Sequence, residues 1–392
     1  MSTLKVGGIR GVSASSDAIT VANDGTCTAR ITNNLSNKNI IINGAMTVAQ
    51  RGTSSTSTGK ATVDRFDLST SGVDEAMTQA QVDVASGTTP YSLGFRKAFK
   101  ITNGNQTGGA GASDRCIISY AVESQDNANS GWNYTSASSY TTLSFWAKSS
   151  VAQTFYVALT TDDGTSQRYG AAMTFASTDT WTKFTYKIPG NSNLTFDNNT
   201  DRGLQVFWTL FRGTDTTDNS FVLNQWAAYN SSIRYPDISG TWFTTDDATF
   251  ELTGIQLEVG EHATDFEHRL FADELAKCQR YFYQATKIGS TSDVTNAPIA
   301  PGFYLTASDY RALIDFPVEM RAAPTLSSND NSGSYYIHQN ALADTIDRLD
   351  SFYNTKRRSI VRNTAHASGT QGYPGFLHQE TGDSNLNFSA EI

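Results

Sequence analysis

Between residues 39 and 260 the chain repeats one pattern: runs of roughly six to ten residues, apolar or alternating with period two, each ended by a Gly, Asn, Asp or Ser cluster. A strand places successive side chains on opposite faces, so this pattern predicts many short antiparallel strands packed as a sandwich or barrel. The runs are read at 40–44, 96–102, 115–123, 140–148, 154–161, 181–189, 203–211 and 248–260. Eight such strands suit one β-sandwich. Trp132, Trp146, Trp181, Trp208, Trp226 and Trp242 all fall inside this span, which predicts a single aromatic core.

The composition supports the same class. Only 17% of the 392 residues are charged, Gly reaches 30 against 8 Pro, and Ser, Thr and Asn are abundant, as turns and pleated surfaces require. The formal charge of -9 offers no general attraction for nucleic acid or an anionic membrane, so polyanionic partners and membrane insertion are not expected. No apolar run approaches the ~20 residues of a membrane span, and the first residues lack a secretory pattern. Cys27, Cys116 and Cys278 lie too far apart in sequence to suggest a disulfide framework or a metal knuckle.

Four regions follow. Residues 1–38 carry too little apolar surface for a core and need a partner to become ordered, as a segment for attachment or oligomerisation. Their short pieces Leu4–Val6 and Ile19–Val21 are read as strands seeking other chains. Residues 39–268 form the jelly-roll domain. Residues 269–285 read as a linking helix, because Phe271, Leu275, Cys278 and Phe282 recur at helical spacing. That stripe suits packing on the chain's own domains better than a short coiled coil. After the turn-rich 289–293, residues 286–392 form a smaller β domain with strands near 310–320, 334–340, 358–364 and 385–392, and a helical turn within 341–357.

Few motifs carry chemistry. The stretch 52–62 has six residues between Gly52 and Gly59 where a phosphate loop needs four, and Ala61 stands where Ser or Thr would bind Mg²⁺. His262 and His268 beside Glu261, Asp265 and Glu267 match no zinc spacing. Asp-rich loops at 161–165, 197–201 and 214–219 have Ca²⁺-type oxygen donors but equally the residues of ordinary turns, so no metal site and no cofactor is assigned. No GxSxG elbow, HExxH or Cys/His pair is present, and with five histidines a non-enzymatic chain is expected.

The segment 224–247 carries Trp226, Tyr229, Tyr235 and Trp242 among amide and hydroxyl side chains. Flat rings beside such groups suit stacking on a sugar and bonding its hydroxyls. The same rings equally suit anchoring a long loop on the sandwich. Both readings extend to Trp132 and Tyr134, and to Tyr169. These six, Trp226, Tyr229, Tyr235, Trp242, Trp132 and Tyr134, are the candidate carbohydrate-binding residues.

Taken in order, several stretches resemble a module of bacteriophage tail fibres: NIIINGAMTVAQRGTS (39–54) with VDRF (63–66), LSFWAKSS (143–150), WTKFTYKIPG (181–190), FELTGIQLEVG (250–260), HATDFEHRLFADELAKCQRYFY (262–283), FPVEMRAAPTL (316–326) and NFSAEI (387–392). Asp265 stands where the family usually has Pro. The resemblance implies an all-β chain built on a carbohydrate-binding-like jelly roll. It implies a homotrimeric virion protein of the tail appendage, made in the host cytoplasm, docking to other tail proteins through residues 1–38 and attaching to host surface glycan. The alternative is a head fibre, decoration protein or tail adaptor with a purely structural role. The resemblance carries over framework residues and no sugar-binding residue.

Overall fold

The computed structural model describes residues 6–12, 18–21, 27–29, 38–286, 297–328, 333–340, 342–380 and 384–392. Near its start, β1 (Gly8–Ile9), β2 (Ile19–Val21) and β3 (Cys27–Ala29) form a small antiparallel sheet. Ile19–Val21 therefore pairs within its own chain, while Leu4 lies outside the described residues.

The jelly roll uses β4 (Ser54–Ser55), β5 (Phe66–Ser71), β6 (Thr78–Asp83), β7 (Lys97–Thr102), β8 (Arg115–Glu123), β9 (Tyr140–Ser149), β10 (Thr154–Thr161), β11 (Gln167–Thr174), β12 (Thr182–Pro189), β13 (Arg202–Arg212), β14 (Trp226–Ala228) and β15 (Thr249–Val259). They make two six-stranded antiparallel sheets, in the orders β14-β11-β10-β13-β8-β5 and β12-β9-β15-β7-β6-β4. Between them Phe66, Phe99, Phe145, Phe155, Trp208 and Phe250 are fully buried, with Trp208 edge-on to Phe145 at 5.7 Å. The strands β5, β6 and β11 escape the sequence reading because their Ser, Thr, Gln and Gly blur the apolar alternation. Nor do all six tryptophans share one core. Trp146 and Trp181 are half-buried on the outer side of the second sheet, around a separate cluster with Phe95.

Residues 40–44, expected as a strand, form a turn. Asn43 sits in the left-handed region at φ 61°, and its side chain bonds the backbone of Val48 and Asp64 at 2.8–3.0 Å. A Cβ on Gly44 would lie 2.1 Å from the Ile255 carbonyl oxygen, so this position admits only glycine.

Two short helices, α1 (Thr89–Ser92) and α2 (Ser124–Ala128), interrupt the sandwich; α3 spans Phe271–Gln279, shorter than the expected 269–285. Phe282–Gln284 is instead a strand, β16, because its backbone is taken up by the last strand of the chain. The predicted stripe also divides. Phe271 is 59% exposed, whereas Cys278 is buried beside Glu274, whose carboxylate accepts from the Asn43 amide and faces Arg269 at 3.5 Å.

The remaining strands are β17 (Ala297–Thr306), β18 (Asp309–Asp315), β19 (Thr325–Ser328), β20 (Tyr335–Gln339), β21 (Leu342–Ile346), β22 (Asp350–Asn354), β23 (Arg358–Asn363), β24 (Pro374–Gln379) and β25 (Leu386–Ser389). Seven form the sheet β21-β20-β24-β17-β18-β23-β22, and β16-β25-β19 form a second. The helical turn expected in 341–357 is replaced by β21 and β22, each satisfied by an antiparallel neighbour. Tyr304, Tyr310, Tyr335, Ile337 and Phe388 fill the space between these sheets.

Candidate functional site

The outer face of the first sandwich sheet is concave and polar, and its make-up follows from strand register. Residues opposed across neighbouring strands point to the same side. One outward row is therefore Arg168, Thr160, Gln205 and Ala121; the next runs Gly170, Ala158, Phe207, Ser119 and Asp67; a third is Ala172, Tyr156, Thr209, Ile117 and Ser69. Two adjoining hollows of about 320 and 530 Å³ share Ile117, Gln205, Phe207, Arg202, Arg212 and Arg234, making one continuous cleft. Gly170 leaves room for the loop above it, since a Cβ there would lie 2.7 Å from the Phe221 ring.

At one end of the cleft a register shift in β13 between Thr209 and Phe211 sends both Leu210 and Phe211 into the core. Arg212 then emerges on the cleft side, directly opposite Arg115. Like charges so placed repel, and among the described residues no carboxylate lies within 4 Å of either to relieve them. Burial first, and then Arg234, push the Arg212 guanidinium down to about 10. Arg168 is also buried and held below its ordinary value by that burial. It donates to Thr160 Oγ1 at 2.8 Å and to the Arg234 carbonyl at 3.0 Å, neither of which carries charge. The carboxylates that do line the cleft are engaged elsewhere, Asp162 by a two-pronged contact with Arg202 at 2.7 and 3.0 Å and Asp67 by Lys60 at 3.8 Å.

The long connection after β13 makes the wall. Tyr235 lines the cleft, packed against Tyr156 at 6.0 Å and under the Arg168 guanidinium at 4.3 Å, and its hydroxyl is buried with no hydrogen-bond partner among the described residues. Tyr229 is half-buried, with Arg234 and Arg168 at 5.5 and 5.9 Å from its ring. Of the six candidate aromatics, these two reach the cleft.

The other four do not. Trp226 is buried on β14 against Tyr169 and donates from its indole to the Pro189 carbonyl at 2.7 Å, pinning the first sheet's edge to the second. Trp242 is fully buried and donates to the Thr249 carbonyl at 3.0 Å. Trp132 is buried in the core, with Tyr134 half-buried beside Phe196 at 4.8 Å. Trp226, Trp242 and Trp132 are buried in protein, as the loop-anchor alternative expects, while Tyr134 is half-buried and lies outside the cleft. The cleft residues that sequence reasoning missed are Arg115, Arg168, Phe207 and Arg212. Alternation along each strand predicts their outward direction, but only sheet order brings them together.

The acidic loops are engaged in their own folding. Asp163 accepts from Ser124 Oγ at 2.5 Å and the Asp197 amide at 3.1 Å, and Asp237 from Thr217 and Asn219. Among the described residues no group of three His, Cys, Asp or Glu side chains has the disposition to hold a metal ion. His268 bonds the Leu93 carbonyl at 2.8 Å and packs on Phe266.

The motif residues behind the tail-fibre resemblance converge elsewhere, on one buried network. Asn39 bonds the backbone of Ile255 and Leu257, Arg269 reaches the Asn39 and Ile41 carbonyls, and Gln50 and Arg51 meet Asp64. Arg65 pairs with Glu391 and stacks 3.4 Å from the Tyr281 ring, while Arg280 grips Glu123 with two bonds of 2.8 Å. These residues hold sandwich, helix and last strands together.

No protein-family model and no curated protein matches the sequence. Among solved structures, the chain is similar to the enzymatically active domain of tailspike protein 4 of bacteriophage CBA120, at 13% identity and TM-score 0.30 over 57% of this chain. It spans 22% of that tailspike chain. It is also similar to the family 11 carbohydrate-binding module of a Clostridium thermocellum cellulase, at 10% identity and TM-score 0.24, covering 51% of this chain and 91% of that one. A module solved with β-1,4-galactotriose gives 9% identity and TM-score 0.27, covering 57% and 99%.

Proposed function

We propose that this protein is a non-enzymatic virion fibre that attaches to a host cell by binding surface glycan through the jelly-roll cleft. The observation that carries the reading is the cleft itself: an open trough across a six-stranded sheet, with Phe207 on its floor, Tyr229 on its wall and amide, hydroxyl and guanidinium donors between them. An aromatic surface with spaced hydrogen-bond donors suits a sugar chain, which presents alternating C–H faces and hydroxyls. The motif order supports assignment to a phage tail appendage. A homotrimer is supported by the outer face of the seven-stranded sheet, where Phe303, Leu305, Leu313, Tyr353 and Phe376 stand exposed.

A density map of the intact virion tests the assembly. A threefold bundle with residues 1–38 held at the tail is expected. Copies spread over the capsid, or held by other virion proteins at both ends, would make the chain a decoration or adaptor protein instead. Pull-down on extracted host polysaccharide tests the binding itself.

A further inference from the structure

We infer that the jelly-roll cleft takes an acidic saccharide, with carboxylate or phosphate oxygens received by Arg115, Arg168, Arg212 and Arg234; this rests on the glycan reading above. Three independent observations meet here. The first is the cross-strand pairing of Arg212 with Arg115, which sets two cations on the same side of neighbouring strands, their Nε atoms bonded to the neutral hydroxyls of Thr216 and Ser69. Then there is the charge balance: the acids lining the cleft are taken by Arg202 and Lys60, so among the described residues these four guanidinium groups have no carboxylate within 4 Å. Last is Tyr235, a cleft-lining ring under Arg168 whose buried hydroxyl has no acceptor among the described residues.

Buried cations are ordinarily paired, because removing a charge from water is costly without a counter-charge. This sheet instead places Arg168 and Arg212 in a dry setting with only neutral oxygens around them. An arriving carboxylate or phosphate would supply the missing partner, and guanidinium forks donate two parallel hydrogen bonds to such groups. The chain's overall charge of -9 does not oppose this, since a cleft with low-dielectric walls focuses its own local field.

The test uses the full chain and a panel of uronate polymers (polygalacturonate, alginate, hyaluronate) with a phosphate-bearing polymer, teichoic acid, and a carboxyl-reduced neutral counterpart for each uronate. The expected result is binding to at least one acidic polymer, weakening with salt and lost for a neutral counterpart. Arg115→Gln and Arg234→Gln, both on partly exposed side chains, are expected to lower that affinity about tenfold each with no loss of melting temperature. Whether a uronate or the teichoic acid binds distinguishes carboxylate from phosphate. Equal binding of acidic and reduced polymers, or full affinity in both variants, overturns the anion assignment while the glycan reading stands. No binding to any polymer, acidic or neutral, overturns the glycan reading and this inference with it. Tighter binding of a single-stranded oligonucleotide than of any saccharide assigns the cleft to a different polyanion and overturns it too.

Discussion

The guanidinium of Arg65 lies buried in an ion pair with Glu391, a residue 326 positions further along the chain. Burial works against the charge on both. For Arg65, Glu391 more than compensates; for Glu391, Arg65 and Arg51 hold its carboxyl below the usual value. This pair, with Arg51 contacting Glu391 at 3.2 Å, clips the last residues onto the sandwich. Glu391→Gln is expected to cost about 3–5 kcal/mol, because it leaves a buried guanidinium uncompensated. Urea denaturation measures this, and a loss below about 1 kcal/mol would show that the clip contributes little.

Asp64 behaves in the opposite sense. It is almost wholly buried, and that burial, ahead of the opposing effects of Arg51 and Gln50, raises its carboxyl to about 6. The native state then binds a proton more tightly than the unfolded chain, so stability falls as pH rises from about 4 to 6, by as much as about 3 kcal/mol. Asp64→Asn is expected to flatten that part of the stability profile. Glu123 and Glu391, with lowered values, act below about pH 4.5, where stability is lost as they protonate. Denaturation curves across this range in wild type and variant separate the two windows; parallel profiles would refute the assignment to Asp64.

Arg212 carries a charge that folding has partly stripped of water without supplying an acid. Replacing it by Met is expected to raise stability by about 1 kcal/mol, allowing for the screening that reaches its partly open end. A destabilised variant would mean that packing of the arginine stem outweighs relief of the repulsion with Arg115.

Trp242 and Tyr229, neighbours in the same aromatic segment, are expected to separate cleanly. Trp242→Ala removes a fully buried indole that holds the Thr249 carbonyl, at a cost of about 3–5 kcal/mol. Tyr229→Ala, at a half-buried cleft position, is expected to leave melting nearly unchanged and to weaken binding of whichever polysaccharide the wild type retains. Thermal melts and affinity electrophoresis read the two effects, and equal destabilisation by both would argue against a binding role for Tyr229.

Phe303, Leu313 and Phe376 stand on one exposed sheet face. Changing Leu313 and Phe376 together to Ser is expected to shift a trimer toward monomer in analytical ultracentrifugation. A wild-type chain that sediments as a monomer would remove the trimer from the proposal.

What could be read from the chain alone was whatever depends on near neighbours. Runs such as Arg115–Glu123 and Thr154–Thr161 appear as strands with the bounds read from sequence, because each is a contiguous, largely buried stretch rich in apolar and β-branched residues. The stretch 40–44 misled for a local reason as well: its isoleucines look like a strand, while Asn43 takes the left-handed backbone of a turn and Gly44 admits the close approach of Ile255. Aromatic identity likewise said that Trp226, Tyr235 and Trp242 mattered, but not whether their faces meet solvent or protein. That was decided by which strands became neighbours. Arg115, Arg168 and Arg212 sit on three strands separated by dozens of residues, and only the order β11-β10-β13-β8 turns them into one cationic surface. Strand pairing energy depends on contacts between distant segments, so the alternation that revealed each strand carried no information about the company it would keep.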